Sequence, residues 1–293
     1  MQDDDPFVAQ RRLLFTIAYE MTGSAADAED VVQEAWLRWD GIGEAAQAEV
    51  RDPRAYLVRV VTRQALNRMR TLARQREEYV GEWLPEPLLT SPDVADDVEL
   101  AESLSIAMLA VLETLLPTER AVFVLREVFD VPHDEIALAL DKSPAAVRQI
   151  ARRARQHVAA RRPRTTVSRA EQEQVVERFL AALLTGDLPG LLDVLAPDVV
   201  VVGDGGGLAP ALPRPISGAH RVANALSRLA EAAPGIQVVT LLLNGSLAAR
   251  LDPAGELETA MTFTVEDGRI TRILAIRNPH KLGLLDEVVE VRR

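Results

Sequence analysis

Residues 118–158 hold the pattern that most constrains the fold, a pair of helices joined by a tight turn. Asp134–Leu140 predicts a short helix, and Asp141–Ser143 predicts a turn in which the aspartate adopts the left-handed backbone conformation. Ser143 can then cap a second helix that has Pro144 at its first position. We expect Thr118 to cap the helix that precedes this pair. The pattern predicts a helix-turn-helix.

The second helix of the pair has two chemically different faces. Apolar side chains recur at helical spacing on one face, at Val147, Ile150, Ala151, Ala154 and Val158. Arginines lie on another face, at Arg148, Arg152 and Arg155. A recognition helix in the major groove of DNA has this arrangement, whereas the alternative interpretation is a helical hairpin with a solvated basic face. In the DNA interpretation the first turn reaches base edges and the later arginines contact phosphates.

Charge is distributed unevenly along the chain. The 293 residues include 44 acidic and 33 basic side chains, a net charge of −11, and this total alone argues against a nucleic-acid partner. Two runs oppose that inference: Arg51–Arg76 holds eight arginines and one acid, and Arg148–Arg164 holds seven arginines and no acid. Residues 81–110 carry seven acids and no base. The two arginine runs therefore remain as separate DNA-facing patches.

The length predicts about two or more domains, and the patterning divides the chain into helical and mixed parts. We expect two all-α domains at residues 1–80 and 104–164, joined by an acidic, proline-containing linker at 81–103 that forms no regular element. A second linker is expected at 163–168, before an α+β domain at 168–293. In that domain a helix is expected at 219–232, with an antiparallel sheet built from strands at 199–202, 237–243, 257–265 and 269–276.

Several protein classes are excluded by what the sequence lacks. It has no cysteine, which excludes a disulfide scaffold, a thiolate zinc site and a cysteine nucleophile. The acidic start, Met1–Asp5, does not resemble a signal peptide, and the longest apolar stretches, such as Leu104–Leu112, are too short for a membrane span. We expect a cytoplasmic protein that is monomeric when free, with no cofactor, no metal and no membrane partner.

The first eighty residues contain two helix starts and a basic segment. Ser24 is expected to cap a helix, with Asp27 as its capping-box partner, and Asp52-Pro53 opens a further helix. Arginines from Arg51 onward, together with Tyr56, suit a single DNA strand, because arginines follow phosphates and an aromatic ring stacks on a base. The alternatives are core packing for the tyrosine and a solvated face for the arginines.

The order of these motifs resembles a sigma-70 family factor of the extracytoplasmic-function (ECF) class. Ala28–Arg38 resembles region two, Asp52–Asn67 resembles the segment that melts the minus-ten element, and the stretch from Leu116 onward resembles region four. The resemblance implies a protein that directs core RNA polymerase to promoters and initiates transcription. Its implied partners are promoter DNA and core polymerase, through the β′ clamp helices and the β subunit.

The resemblance also implies residue roles. Polymerase binding is implied for Asp30, Gln33, Glu34 and Leu37. Contact with the minus-ten element is implied for Arg51, Arg54, Tyr56, Arg59, Arg63 and Asn67. Contact with the minus-thirty-five element is implied for Ser143, Ala145, Ala146, Arg148, Gln149, Arg152, Arg153 and Arg155.

Three further motifs resemble the SigJ-like group, in which a SnoaL-like domain follows region four. An interdomain regulatory role is implied for Trp83, Leu84, Pro85, Glu86, Pro87, Asp204, Gly205, Gly206, Gly207, Asn278, Pro279, His280, Lys281 and Leu282. In that group the position of His280 usually holds an aspartate. A SnoaL-like domain is a cone of curved sheet with helices over a pocket. The acidic linker is implied to occupy a positively charged channel of the polymerase, and the alternative is a disordered segment.

The role of the cone leaves two interpretations open. One is modulation of the sigma factor in cis, with the cone as a place for a small-molecule ligand; tethering supplies an effective concentration in the millimolar range. The other is a SnoaL-type enzyme or ligand sensor fused to a DNA-binding transcription regulator, with Asp204 and His220 as the reacting pair. Only Phe179 and Phe263 among twelve aromatic residues follow residue 167, so a flat aromatic ligand has few stacking partners. A conventional repressor is disfavoured, because it has no use for a region-two helix.

Overall fold

The computed structural model describes residues 5–161, 167–232, 235–252, 258–283 and 285–293. Most of the predicted second linker at 163–168 lies outside these residues, as does the first residue of the predicted strand at 257–265. Among the helices of the described ranges, none is long and apolar enough to cross a membrane.

The chain begins with a group of packed helices. They are α1 (Pro6–Thr22), α2 (Ala25–Gly41), α3 (Gly43–Glu49) and α4 (Pro53–Glu77). The two helix starts expected from the sequence are confirmed: the Ser24 hydroxyl accepts the Asp27 N–H at 3.2 Å, and the Asp52 carboxylate accepts the Ala55 N–H at 2.9 Å. Helices α1, α2 and α4 bury their apolar faces against one another.

The linker is more ordered than its composition suggests. Residues 82–91 are extended, but they are followed by helices α5 (Pro92–Asp96) and α6 (Val98–Leu104). The expectation that 81–103 forms no regular element is therefore wrong for its second half. Helix α6 forms because Asp97 caps it by accepting the Leu100 N–H at 3.1 Å. Burial of Leu100 and Leu104 then outweighs the repulsion among the acidic side chains.

A second helical group contains the expected helix-turn-helix, which is confirmed. It comprises α7 (Ile106–Leu112), α8 (Pro117–Phe123) with a π-helical turn at Val124–Val128, α9 (His133–Leu140) and α10 (Pro144–Ala159). Asp141 in the turn between α9 and α10 is left-handed, with φ 53° and ψ 52°. The Ser143 hydroxyl caps α10 by accepting the Ala146 N–H at 3.2 Å.

One expected cap in this group is wrong. Helix α8 begins at Pro117, one residue before Thr118, and Leu116 at the cap position makes no side-chain hydrogen bond. Proline is well suited to the first helical position, because the N–H it lacks has no partner within the helix there. The fixed φ angle of the proline sets the start of this helix in place of a hydroxyl cap.

The C-terminal part is the expected α+β domain, which confirms the predicted fold class. Its helices are α11 (Arg169–Thr185), α12 (Leu188–Val194), α13 (Ala219–Ala232) and α14 (Pro279–Leu282). Its strands are β1 (Leu195–Asp204), β2 (Ile216–Ser217), β3 (Gln237–Leu243), β4 (Ser246–Asp252), β5 (Thr259–Glu266) and β6 (Arg269–Ile276). They form one sheet in the order β2-β1-β6-β5-β4-β3.

Two details of the sheet differ from the expectation. The β1 and β6 strands pair in parallel, so the sheet is mixed rather than antiparallel. The sequence also gave no indication of β4, whose centre is Ala248-Ala249, because alanine has low β-propensity. Pairing on both sides decides its structure: Asn244-Gly245, both left-handed, turn the chain back from β3, and β5 pairs with the other edge.

The sheet is buried on both faces. One face, here called the inner face, carries Val201, Met261 and Ile273 into a core under α11, α12 and α13. The opposite, outer face carries Ala260 and Leu274 into the core shared by the linker and the two helical groups. Alternate residues of one strand point to opposite faces, so every strand except the two-residue β2 supplies both cores. Both cores therefore pack against the same sheet, one on each face.

The linker covers the edge of this sheet at β3. Leu89 pairs with Leu243, and the Thr90 N–H donates to the Leu242 carbonyl at 3.0 Å. Asn244 fastens this edge from within: its buried side chain accepts the Leu88 N–H at 2.8 Å, and its amide donates to the Tyr19 hydroxyl at 2.7 Å and to the Leu104 carbonyl at 2.9 Å. The linker thus blocks the C-terminal end of this edge, at Leu242–Asn244, from pairing with another chain.

Replacing Asn244 with alanine tests this fastening. The variant leaves a buried N–H and a buried carbonyl without their partners, and alanine disfavours the left-handed backbone with φ 53° at this position. We expect the free energy of unfolding in urea to fall by about 3 kcal/mol. Asn224→Ala, at an exposed position of α13, is the matched control and should lose no stability. Equal unfolding midpoints for the two variants would contradict the role of Asn244.

Candidate functional site

The residues implied to bind polymerase lie together on one exposed stripe of α2. Asp30, Gln33, Glu34 and Leu37 follow helical spacing, and all four are exposed. Asp30 pairs with Arg68 at 3.3 Å, and Glu34 accepts a hydrogen bond from the Gln64 amide at 2.8 Å. The Leu37 side chain is 55% exposed and Trp36 beside it is 41% exposed, an apolar surface with acids at its border.

The residues implied to hold the minus-ten strand lie along the first half of α4 and the segment before it. Arg51, Arg54, Arg63 and Asn67 are exposed, whereas Tyr56 and Arg59 are half-buried. The Tyr56 ring packs against Trp39 with ring centres 5.6 Å apart, and the Arg59 guanidinium lies 5.4 Å from its centre. Tyr56 thus packs against the core on one side and contacts the basic surface on the other.

This basic surface is in contact with the helix-turn-helix. The Arg63 guanidinium donates to the carbonyls of Leu138 and Ala139, both at 3.0 Å, at the C-terminal end of α9. A helix C-terminus carries partial negative charge, so it attracts a guanidinium. Glu135 and Leu138 of α9 also face Tyr56 across a groove. The second helical group therefore covers part of the surface that the sequence assigns to DNA.

The residues implied to read the minus-thirty-five element lie on α10 and its cap. Ser143, Ala145, Arg148, Gln149, Arg152, Arg153 and Arg155 are exposed, and Ala146 is half-buried. Arg153 lies 3.8 Å from Glu119, and Arg155 lies 3.4 Å from Glu127, both at the surface. The opposite face, including Ile150, is buried against the rest of the group. The amphipathic arrangement expected from the sequence is present.

The three motifs of the C-terminal domain and linker meet around the carboxylate of Asp204. This side chain is fully buried and accepts four hydrogen bonds: from the Tyr79 hydroxyl at 2.6 Å, the Leu84 N–H at 2.9 Å, the Gly206 N–H at 3.1 Å and the Lys281 ammonium at 2.7 Å. We call these residues, with Asn278, the Asp204 cluster. The carboxylate is a structural acceptor whose hydrogen bonds join the segment after α4, the linker, the turn after β1 and α14.

Lys281 is the cationic member of the Asp204 cluster. Its ammonium donates to the Leu84 carbonyl at 2.6 Å and lies 4.1 Å from the centre of the Trp83 ring and 4.9 Å from that of Tyr79. The Arg76 guanidinium lies 3.8 Å from the Trp83 ring. Burial lowers the pKa of Lys281 to about 8, and the facing Asp204 carboxylate opposes that shift. Trp83 is therefore a cation-binding platform between two domains.

The remaining motif residues lie around this cluster. Asn278 donates through its amide to the Tyr79 hydroxyl at 2.8 Å. Gly206 has a left-handed backbone with φ 59°, and a side chain there would collide with the Asn278 amide. The other members are Pro85 and Pro87, buried in the linker; Gly205 and Gly207, in the turn after β1; Pro279, exposed; and Leu282, buried in the shared core. His280 is exposed, and its N–H donates to the Asn278 side chain at 3.0 Å.

Glu86 of the linker holds the start of α2. Its buried carboxylate accepts the Ser24 hydroxyl at 2.9 Å and the Ala25 N–H at 2.8 Å. Its backbone carbonyl accepts the Tyr19 hydroxyl at 2.6 Å. A carboxylate at a helix N-terminus is stabilised by the N–H groups that lack partners within the helix. The linker is therefore fixed to the N-terminal helices as firmly as to the sheet.

A second ionic cluster, around Glu113, joins the two helical groups. Glu113 pairs with Arg76 of α4 and with Arg120 of α8. Arg120 is 1% exposed, and its Nε donates to the Glu20 carbonyl at 2.8 Å. Burial raises the pKa of the Glu20 side chain to about 8, with the Ser103 hydroxyl and the charge of Arg120 offsetting part of that effect. Burial therefore favours the protonated form of Glu20.

Sequence reasoning missed several residues of these clusters. Tyr79, Glu113 and Arg120 show no local pattern that distinguishes them from solvated helix residues, since their partners are distant in sequence. Glu20 had a usable signal, because it interrupts the apolar run from Leu13 to Met21. A buried acid in such a run needs a proton or a partner.

The pair considered for catalysis is not brought together. Asp204 ends β1 and is engaged by four donors. His220 is exposed at the start of α13 and lines a surface depression with Leu195 and Pro197, at the beginning of the same strand. Most of the length of β1, at about 3.3 Å per residue, separates the two side chains.

Glu20 gives a pH dependence that can be measured. Its folded pKa lies above the ordinary value near 4.5, so the stability from its protonated form is present at low pH and is lost as the pH rises through about 8. We expect the free energy of unfolding to fall between pH 5 and pH 8, and Glu20→Gln to reduce that fall by roughly 2 kcal/mol. Glu44→Gln, at an exposed position, should retain the wild-type slope. Identical slopes in all three proteins would contradict a protonated Glu20.

Two family models and two curated relatives match this chain. The family models of sigma-70 region 2 and sigma-70 region 4 match residues 7–75 and 105–158. The chain is 39% identical to the ECF RNA polymerase sigma factor SigJ of Mycobacterium tuberculosis, with 94% of this chain and 91% of the relative covered. It is 31% identical to the probable ECF RNA polymerase sigma factor SigI of that organism, covering 94% and 93%.

A solved structure shares the whole architecture. The crystal structure of the Mycobacterium tuberculosis extracytoplasmic function sigma factor SigJ matches with a TM-score of 0.76 at 38% identity, covering 94% of this chain and 96% of that chain. The match includes the sheet domain as well as both helical groups. This chain belongs to the ECF class of the sigma-70 family of RNA polymerase sigma factors.

Proposed function

We propose that the protein brings core RNA polymerase to promoters and that its C-terminal domain holds it in a closed state until polymerase binds. The contact of Arg63 with the end of α9 carries this proposal. In a closed state the surface for the minus-ten strand is occupied by the helix that precedes the recognition helix. Opening is then a condition for promoter binding.

The distance between promoter elements supports a closed state. The minus-ten and minus-thirty-five elements lie about 25 base pairs apart, which is roughly 85 Å at 3.4 Å per base pair. In this arrangement α4 and α9 are within hydrogen-bond distance of each other. The two DNA-binding faces must therefore separate before both elements can be engaged, and polymerase, which binds the exposed stripe of α2, is the partner that would separate them.

The roles of the parts follow from this proposal. Residues 1–80 bind polymerase and the minus-ten strand, and residues 104–164 read the minus-thirty-five element. Residues 81–103 are the linker through which residues 168–293 act. The Asp204 cluster fixes that linker to the sheet, and the Glu113 cluster fixes the two helical groups to each other. The free protein acts as a cytoplasmic monomer, and its net charge of −11 disfavours binding to free DNA.

A regulatory role for the C-terminal domain is preferred over an enzymatic one. The separation of Asp204 from His220 removes the pair on which acid–base chemistry would depend, and the Asp204 carboxylate has no free position for a substrate proton. A domain tethered in cis acts at an effective concentration in the millimolar range. Weak contacts are then sufficient to hold the closed state.

The exposed stripe of α2 gives the first test of function. Leu37→Asp places a charge in the apolar surface that we assign to polymerase, and we expect its affinity for core polymerase to fall at least about tenfold, as for the loss of a central interface residue. Val8→Asp, at another exposed apolar position, is the control and should bind as the wild type does. Co-purification or fluorescence anisotropy with core polymerase measures this. Unchanged affinity in Leu37→Asp would contradict the assignment.

The Asp204 cluster gives the second test. Tyr79→Phe removes one hydrogen bond to the carboxylate, and Asp204→Asn removes the charge that faces Lys281. Both should shift the population toward the open form. We expect run-off transcription to rise several-fold, since each 1.4 kcal/mol of closed-state stability lost corresponds to about a tenfold change. The assay uses limiting core polymerase and a promoter selected with this protein from randomised DNA.

The matched control for these variants is Asp198→Asn, at an exposed position before the middle of β1. Circular dichroism melting establishes that each variant is folded. If folded Tyr79→Phe and Asp204→Asn transcribe no better than Asp198→Asn, modulation by the Asp204 cluster is wrong.

A further inference from the structure

The inner face of the sheet encloses a cavity of about 350 Å³ beneath α13. Its walls are mainly apolar side chains, among them Val201, Leu212, Val222, Leu226 and Met261. Polar groups come from the Thr259 hydroxyl and from two arginines, Arg228 and Arg277. No acidic residue is found among the described residues of the lining. The size is at the lower end for a small-molecule site, and the polarity is that of an apolar pocket with a cationic end.

Arg277 is incompletely satisfied. It forms an ion pair with Glu258 through Nη2, but its buried Nε–H has no hydrogen-bond acceptor among the described residues. The side chain is only 17% exposed, and burial lowers its pKa. A buried donor without a partner costs about 1–3 kcal/mol. Arg228 is exposed and borders the same cavity, so a ligand that reaches Arg277 enters a positive potential.

We propose that this cavity binds a small aliphatic monocarboxylic acid, with the carboxylate on Arg277 and the chain against the apolar wall. A carboxylate has the planar geometry that accepts two parallel hydrogen bonds from a guanidinium. The site can compensate a single negative charge on the ligand, because Glu258 already neutralises part of the Arg277 charge. A dianion would be costly to bury.

The apolar wall favours an aliphatic chain over an aromatic ring. None of the described lining residues is aromatic. The two phenylalanines of this domain, Phe179 and Phe263, instead pack on each other in the inner core, with ring centres 5.3 Å apart. A flat ring in the cavity would therefore lack a stacking partner, whereas a flexible chain can follow the uneven wall.

The cavity and the Asp204 cluster are adjacent positions on the same strands. Gly203 lines the cavity, and Asp204, the next residue, points to the outer face. The backbone N–H of Arg277 donates to the Asp204 carbonyl at 2.7 Å, and that of Asn278 donates to the same atom at 3.0 Å. A ligand that moves Arg277 thereby acts on the cluster. This coupling rests on the proposed function, whereas the binding itself does not.

Calorimetric titration of the full-length protein tests the site. The probes are hexanoate, octanoate and decanoate, each compared with its neutral amide. We expect at least one acid to bind about tenfold more tightly than its amide, and Arg277→Gln to lose about tenfold of that affinity. Arg178→Gln, at an exposed position of α11, is the control and should bind as the wild type does. Ala225→Phe fills the cavity without altering charge and should also prevent binding.

The outcomes separate the site from its regulatory role. The proposal is overturned if none of the three acids binds better than its amide, or if folded Arg277→Gln and Ala225→Phe bind them as well as the control does. A change of wild-type transcription on adding the tight-binding acid, absent in Arg277→Gln, supports the coupling. Binding without that change supports the site and contradicts only the coupling.

Discussion

The buried carboxylate of Asp204 constrains how the parts of this protein pack together, because a buried charge needs hydrogen-bond donors. Asp204 lies at the end of a strand, and water cannot solvate it. An isolated buried charge there would be very costly, so the arrangement seen here depends on donors that surround the carboxylate. Those donors come from Tyr79 just after α4, from the linker and from α14. These contacts stabilise the arrangement of the sigma regions on the sheet, because they supply the donors that the buried carboxylate needs.

The other polar contacts between the parts have the same character. Asn244 has each polar atom of its side chain in a hydrogen bond, and Glu86 occupies the N-terminus of α2. Such contacts contribute modest net stability when complete but are costly when half broken. Under the proposed function, such an interface would favour two discrete arrangements, fully closed or fully separated. An all-or-none response is what a factor needs if it is to stay inactive without polymerase and become active with it.

The sequence predicted best where structure is determined locally. Helix caps at Ser24 and Ser143, the left-handed Asp141 and the two faces of α10 depend on neighbours within a few residues. Where a distant segment decides, prediction failed: β4 is a strand because two others pair with it, and β1 is parallel to β6 because of how the chain returns to the sheet.

The candidate site shows the same difference between residues that the sequence predicts and residues that it does not. The motif around Asp204 was visible in the sequence, but Tyr79, its partner across 125 positions, was not. The composition of the acidic linker predicts no regular element, although Asp97 and two buried leucines form a helix there. Composition describes how a segment interacts with water, whereas these residues contact other parts of the protein.

The shared sheet has a consequence for how such a chain can be divided. The inner core lies within the C-terminal half, but the outer face of the sheet is buried only while the first half covers it. A sigma half that ends before α11 would expose to water the apolar surface that the outer face of the sheet now covers. Loss of activity after such a cut would then report aggregation as readily as lost regulation. For the same reason, the C-terminal half cut away from the helices would present the outer face of the sheet to water.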